Sequence, residues 1–156
     1  MSRNQERWGS DLRLLRNLDY QTDRDRGRDL GVITRPETRQ RDLETLTGAD
    51  NLKQALLLRF LTPAGELALL GHPHYGSRLF ELLGELNTDT TRNRAKLYVL
   101  QALAAEARVK EVLSVRVTQG ASDRARIDIS MSLLAIDNDT VLNLVFPFFL
   151  EGGVAP

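Results

Sequence analysis

His72 and His74, separated by Pro73, are the only histidines in the chain. Two imidazoles at that spacing suit a shared metal, but a stable site needs three or four ligands, and no carboxylate stands near them in sequence. A packing or hydrogen-bonding role within a loop is the simpler expectation, and no metal is assigned. Glu66, Glu81, Glu85 and Glu106 raise a different chemistry. Acid–base hydrolysis of a glycan needs two carboxylates at a set distance, one with a raised pKa. With 21 acidic residues in the chain, such pairs arise from composition alone. Glu66 fits a turn, and Glu81 and Glu85 fit a solvated helix face. The run GHPHYGS from Gly71 to Ser77 is not a nucleophile elbow, and no Ser/His/Asp order is legible. No catalytic residue is assigned, and no cofactor is called for.

Glu106-Ala107-Arg108 is a more specific grouping. It falls where a long helix gives way to a strand, a junction whose backbone groups need partners. A Glu and an Arg two apart there either tie the junction down or face a partner as a charge-assisted pair. Spacing alone favours the structural role.

The elements that must position these groups centre on Gly48 to Arg108. Asp50 or Asn51 caps a helix in which Leu52, Ala55, Leu56 and Phe60 recur at helical spacing, and Thr62-Pro63 stops it. Two glycines and a proline between Gly71 and Gly76 specify the next loop closely. Ser77 caps a short helix holding Leu79, Phe80, Leu82 and Leu83, which Gly84 ends. Asn87 or Thr88 opens the longest helix, with Leu97, Leu100 and Ala104 on one stripe, Tyr98 beside it, and Arg92, Arg94 and Lys96 on the polar side.

From Val109 the apolar period changes to two. Leu113, Val115 and Val117 form one strand, with a turn over Gln119 to Asp123. Ile127, Ile129, Met131 and Leu133 form a second, with a turn at Asp137-Asn138-Asp139. Leu142, Leu144, Phe146 and Phe148 form a third. An antiparallel three-stranded meander with one greasy face packed on three central helices gives an α+β fold. Pro147 cannot donate to a ladder, so the last strand is an edge or ends there. An exposed edge of this kind must be charged, covered or used. Either the N-terminal arm or another chain's strand would complete it.

Upstream, residues 1–40 form a charged arm, dense in Arg and Asp of mixed sign, with few apolar residues beyond Trp8 and the Leu12, Leu14, Leu15, Leu18 cluster. That cluster fits a short amphipathic helix, and the rest is a solvated or partner-contacting segment. Arg41 to Thr47 reads as a short edge strand. The folded domain then spans 41–151, with 152–156 as a tail. At 156 residues the chain is long enough to bury one core. Equal numbers of basic and acidic residues, 21 each, give no electrostatic footprint for nucleic acid. Cysteine is absent, the N-terminus lacks an apolar signal region, and VLNLVFPFFL is too short to span a bilayer. The expectation is a soluble intracellular domain that engages neither nucleic acid nor membrane.

The segments NLKQALLLRFLTPAGEL, GHPHYGSRLFELLGELNT, TRNRAKLYVLQAL, EARVKEVLSVRV and LNLVFPFFLE, in that order, resemble the baseplate wedge family of contractile phage tails. This is the W or "lysozyme-like" baseplate family, which includes the sheath initiators of type VI secretion and of extracellular contractile injection systems. The resemblance runs from about Arg41 to Glu151. It implies a structural part rather than an enzyme, with glycan hydrolysis as the alternative. It implies baseplate wedge proteins and sheath subunits as partners, with inner tube or hub proteins as further contacts. Assembly would start in the cytoplasm and end in the baseplate of a tail-like particle. One copy per wedge implies six copies in a sixfold-symmetric particle. The family's Glu-Pro-Arg triplet falls on Glu106, Ala107 and Arg108, where Ala replaces Pro. The resemblance therefore turns Glu106 and Arg108 toward a wedge-core partner. It also implies strand addition from the first sheath ring, placed here on the edge bearing Leu142, Leu144, Phe146 and Phe148.

Overall fold

The computed structural model describes residues 8–18, 30–136 and 140–151. Its strands are β1 (Ser10–Leu12), β2 (Val32–Thr34), β3 (Arg41–Leu43), β4 (Thr45–Thr47), β5 (Val109–Gln119), β6 (Arg126–Ala135) and β7 (Val141–Phe149). Its α-helices are α1 (Gly48–Leu61) and α2 (Asp89–Ala104), and two 3₁₀ turns lie at Ala68–Leu70 and Arg78–Leu82. The fold is α+β.

Period-two patterning builds the main sheet, an antiparallel meander in the order β5-β6-β7. On β6, Ile127, Ile129, Met131 and Leu133 are all buried, and their neighbours Asp128, Ser130 and Ser132 are not. On β7, Leu142, Leu144 and Phe146 stand opposite Leu133, Met131 and Ile129 and continue the same greasy face. The Asp137-Asn138-Asp139 turn lies outside the described residues. Pro147 sits within β7, whose one ladder partner among the described residues is β6, so among them the proline occupies an edge strand, as expected.

β5 departs from simple alternation. The register skips between Val109 and Glu111 and again between Val112 and Ser114. Leu113 is thereby the extra residue of a bulge, and a one-residue slip exchanges the faces. Val112, opposite Leu133, is partly buried, while Leu113 is 46% exposed. The expected inward series Leu113, Val115, Val117 holds only for its last two members.

Among the described residues two α-helices pack on this sheet, not three. Ser77 does cap the next segment, accepting from Leu79 N at 3.1 Å, but Arg78–Leu82 winds as a 3₁₀ turn. That tighter winding eclipses residues three apart, and Leu79 and Leu82 are both fully buried. Gly84 then leaves the turn and donates to Leu150 O at 2.6 Å. Helix α1 starts earlier than expected, with Thr47 as N-cap residue and Gly48 at a positive φ of 61°. Asn51 does not cap; its amide donates to Trp8 O at 2.9 Å. In α2, Thr88 caps through Thr91 N at 3.2 Å. Its buried face is Thr91, Ala95, Tyr98, Val99, Ala102 and Leu103. Of the expected stripe Leu97, Leu100 and Ala104, Leu100 is partly buried against the core, while Leu97, 51% exposed, and Ala104 face outward. Small Ala and Val side chains let α2 lie against β5, and that close approach selects the face.

The N-terminal segment is docked rather than helical where it is described. β1 pairs with β4, and β2 pairs with β3, so Arg41–Thr47 forms two short strands with different partners. Gln54 of α1 donates from Nε2 to Leu12 O at 2.7 Å, and its Oε1 accepts from Leu14 N and Leu15 N at 2.7 and 3.0 Å. One side-chain amide thus satisfies three backbone groups that a helix would have paired internally. Trp8 and Leu18 are buried in the core.

Phe146 links the layers, since its ring lies tilted against that of Phe60 of α1, with centroids 5.6 Å apart. Phe146→Ala should cost about 4 kcal/mol through lost burial and the cavity left behind. That corresponds to a fall of roughly 10 °C in the midpoint of a thermal melt followed by circular dichroism.

Candidate functional site

Glu106 and Arg108 belong to a closed polar cluster at the junction of α2 and β5. Glu106 is only 8% exposed. Its Oε1 accepts from Arg108 Nε at 2.7 Å, and its Oε2 accepts from Arg59 Nη2 of α1 at 3.3 Å. The Arg108 amide adds a longer contact to Oε1 at 3.4 Å. Arg108 Nη1 donates to Trp8 O at 3.3 Å, the oxygen that also accepts from Asn51. The Trp8 indole donates to Ile136 O at 3.1 Å, and Ile136 N donates to Arg108 O at 2.9 Å. The Arg59 guanidinium lies over the Tyr75 ring, 4.6 Å from its centroid. One carboxylate thereby joins α1, the α2–β5 junction, the end of β6 and the N-terminal segment.

The electrostatics follow from this arrangement. Burial, the largest influence, pushes the Glu106 carboxyl up. The hydrogen bond and charge of Arg108, its amide and the charge of Arg59 outweigh burial and hold it below the usual carboxylate range. Burial pushes the Tyr75 hydroxyl up against the opposing charge of Arg59. Arg59 Nε is buried with no acceptor among the described residues. The Arg108 side chain, 25% exposed, is the member of the pair that an approaching molecule meets.

The sequence does not single out Arg59 or Tyr75, and it marks Trp8 only as an apolar residue of the N-terminal arm. For Arg59 a signal existed: it sits on the apolar stripe of α1, three residues after Leu56 and beside Phe60. A cation at a core-facing helical position calls for a buried anion.

The other chemical groupings come apart. His72 and His74 are exposed. No group of three or more His, Cys, Asp or Glu able to hold a metal occurs among the described residues. Glu81 pairs with Arg78 at 2.8 Å and accepts from Tyr98 at 3.0 Å, while Glu85 pairs with Arg94 and Glu66 is exposed. The Arg78 hydrogen bond is the main influence that lowers the Glu81 carboxyl. Where carboxylates among the described residues are displaced, at Asp42, Glu81 and Glu106, the displacement is downward. A glycosidase acid needs the opposite. On the sheet, Leu142, Leu144 and Phe146 are buried and Phe148 is partly so. These side chains hold β7 to the core, and its outer side pairs with no strand among the described residues.

No protein-family model matches this chain, and no curated protein matches it. Among solved structures it is similar to a "putative tail lysozyme" from Geobacter sulfurreducens, with a TM-score of 0.56 and 24% identity. The similarity covers 65% of this chain and 89% of the Geobacter chain, and it establishes a shared fold.

Because folding lowers the Glu106 pKa, its stabilising effect is complete above the unfolded value of about 4.3 and disappears as pH falls through the lower folded value. Glu106→Gln should therefore cost about 3 kcal/mol near neutral pH by leaving two guanidiniums uncompensated. Urea titrations of both proteins from neutral to acidic pH should show the gap closing below about pH 4. A gap that persists unchanged in acid would mean that packing, not charge, makes the difference.

Proposed function

We propose that this chain is a structural baseplate component of a contractile injection machine. In this reading it anchors to the wedge core and templates the first sheath ring by strand addition to its sheet. The observation on which the reading rests is the outer side of β7, which pairs with no strand among the described residues while Leu142, Leu144 and Phe146 seat the strand in the core. Edges left unpaired in a well-packed sheet invite another chain's strand. The shared fold with a protein whose name places it in a tail supports a tail-associated role. The segments that resemble the baseplate wedge family supply the finer assignment. In that assignment the partners are wedge proteins and sheath subunits, with tube or hub proteins alongside.

The Glu106–Arg108 pair is the proposed anchor, with a division of labour. Glu106 is committed to Arg59 and Arg108 within the chain, so the outward contact falls to the partly reachable Arg108 guanidinium. The proposed role is non-catalytic. Glycan hydrolysis is the competing reading, prompted by the name of the Geobacter protein. The guanidinium-paired state of Glu81 and Glu106 favours the structural reading over it.

Electron microscopy of particles made by a gene cluster lacking this chain tests the two readings together. The structural role predicts bare tubes or baseplates without sheath. Fully sheathed particles that only fail to breach a cell wall would overturn it in favour of the enzyme. Restoring the cluster with Arg108→Ala should give folded protein by circular dichroism but markedly fewer sheathed particles. An unchanged yield of sheathed particles would remove Arg108 from the anchor.

A further inference from the structure

A groove of about 650 Å³ lies between α2 and the three strands of the main sheet. Two register rows cross it. One runs Ser114, Ser132, Asn143 and the next runs Arg116, Ser130, Val145. Alternation turns the side chains of these rows away from those of Val115, Met131 and Leu144, the row between them, which also lines the groove. From α2 the groove receives Arg92, Asn93 and Lys96.

The charges in this groove are unbalanced. Arg92 is occupied, donating to Asn87 and Asp89. Lys96 and Arg116 are exposed, and neither side chain makes a hydrogen bond or ion pair to any described residue. The lining contains no Asp or Glu among the described residues. In a chain with equal acidic and basic totals, this is a local concentration of cations that the sequence as a whole conceals. The floor supplies hydroxyls and an amide. Ser132 Oγ and Asn143 Oδ1 lie 2.6 Å apart, with the hydroxyl as donor, which leaves the Asn143 N–H groups for another acceptor.

We propose that this groove binds an extended acidic segment of a partner protein. Lys96 and Arg116 stand on different elements, so they suit two carboxylates spaced along a chain rather than one small anion. The Ser and Asn floor suits the carbonyls and amides of an extended backbone. Nucleic acid would call for a longer basic track than these three cations provide. The groove is distinct from the Glu106 cluster and from the outer side of β7, so the inference does not depend on the baseplate reading.

The test uses the full chain and a fluorescein-labelled alternating Glu-Ser peptide of about eight residues, whose carboxylates share one face when extended. Fluorescence anisotropy should show saturable, salt-sensitive binding. Lys96→Glu or Arg116→Glu should each weaken it roughly 10-fold, and the double variant should weaken it further. Arg41→Glu, on β3 outside the groove, should leave binding unchanged. Lys96→Gln and Arg116→Gln, which remove charge without reversing it, provide the same comparison if a reversed variant fails to fold. Absence of saturable binding, or equal binding by the groove variants, would overturn the proposal. So would tighter binding of a labelled oligothymidylate of equal length, which would assign the groove to nucleic acid.

Discussion

A single buried carboxylate holds the parts of this molecule in register. Glu106 is flanked by the buried Arg59 and the partly exposed Arg108, and without it the Arg59 guanidinium would be left buried and uncompensated. Through them the carboxylate fixes α1 to the α2–β5 junction. Through the shared Trp8 carbonyl it fixes the N-terminal segment as well. The Trp8 indole closes the circuit on Ile136, at the end of β6. Removing one charge would disturb four separate stretches of chain together, which is why this cluster behaves as a structural hub before it can behave as a binding surface.

That constraint shapes the proposed role. A pair entirely free in solvent would be a pure partner contact, and a pair wholly enclosed would be pure scaffolding. Glu106 and Arg108 divide between these extremes, the acid enclosed and the base partly reachable. A partner drawn to Arg108 would meet a guanidinium already oriented by the carboxylate behind it, with little side-chain freedom left to lose. The sheet is arranged in the same manner. β7 is fixed on one side by its greasy residues and by β6, while its outer side pairs with no strand among the described residues.

Much of this was readable from the residues, and the failures have physical causes. β6 and β7 were legible because one face is core and the other solvent, so alternation survives intact. β5 was not, because its bulges move Leu113 outward and bring Val112 inward, and nothing local in VKEVLSVRV marks the slip. The α2 stripe was misplaced because its buried face uses Ala95 and Ala102, weak hydrophobic signals chosen for close approach, while the larger Leu97 is left outside. The N-terminal leucines suggested a helix by spacing, yet a side chain 42 residues from Leu12, that of Gln54, offers them better hydrogen bonds. Glu106 and Arg108 were found from their place at a junction. Their true partners, Arg59 and Trp8, lie 47 residues from Glu106 and 100 residues from Arg108, beyond the reach of spacing arguments.

The most direct measurement of the central claim is a cryo-electron microscopy map of an assembled, sheathed particle at a resolution that traces main chain. The account predicts an additional strand, belonging to a sheath subunit, running beside β7 and extending the β5–β6–β7 sheet to four. A sheet that remains three-stranded in the assembled particle, with the outer side of β7 facing solvent, would contradict it.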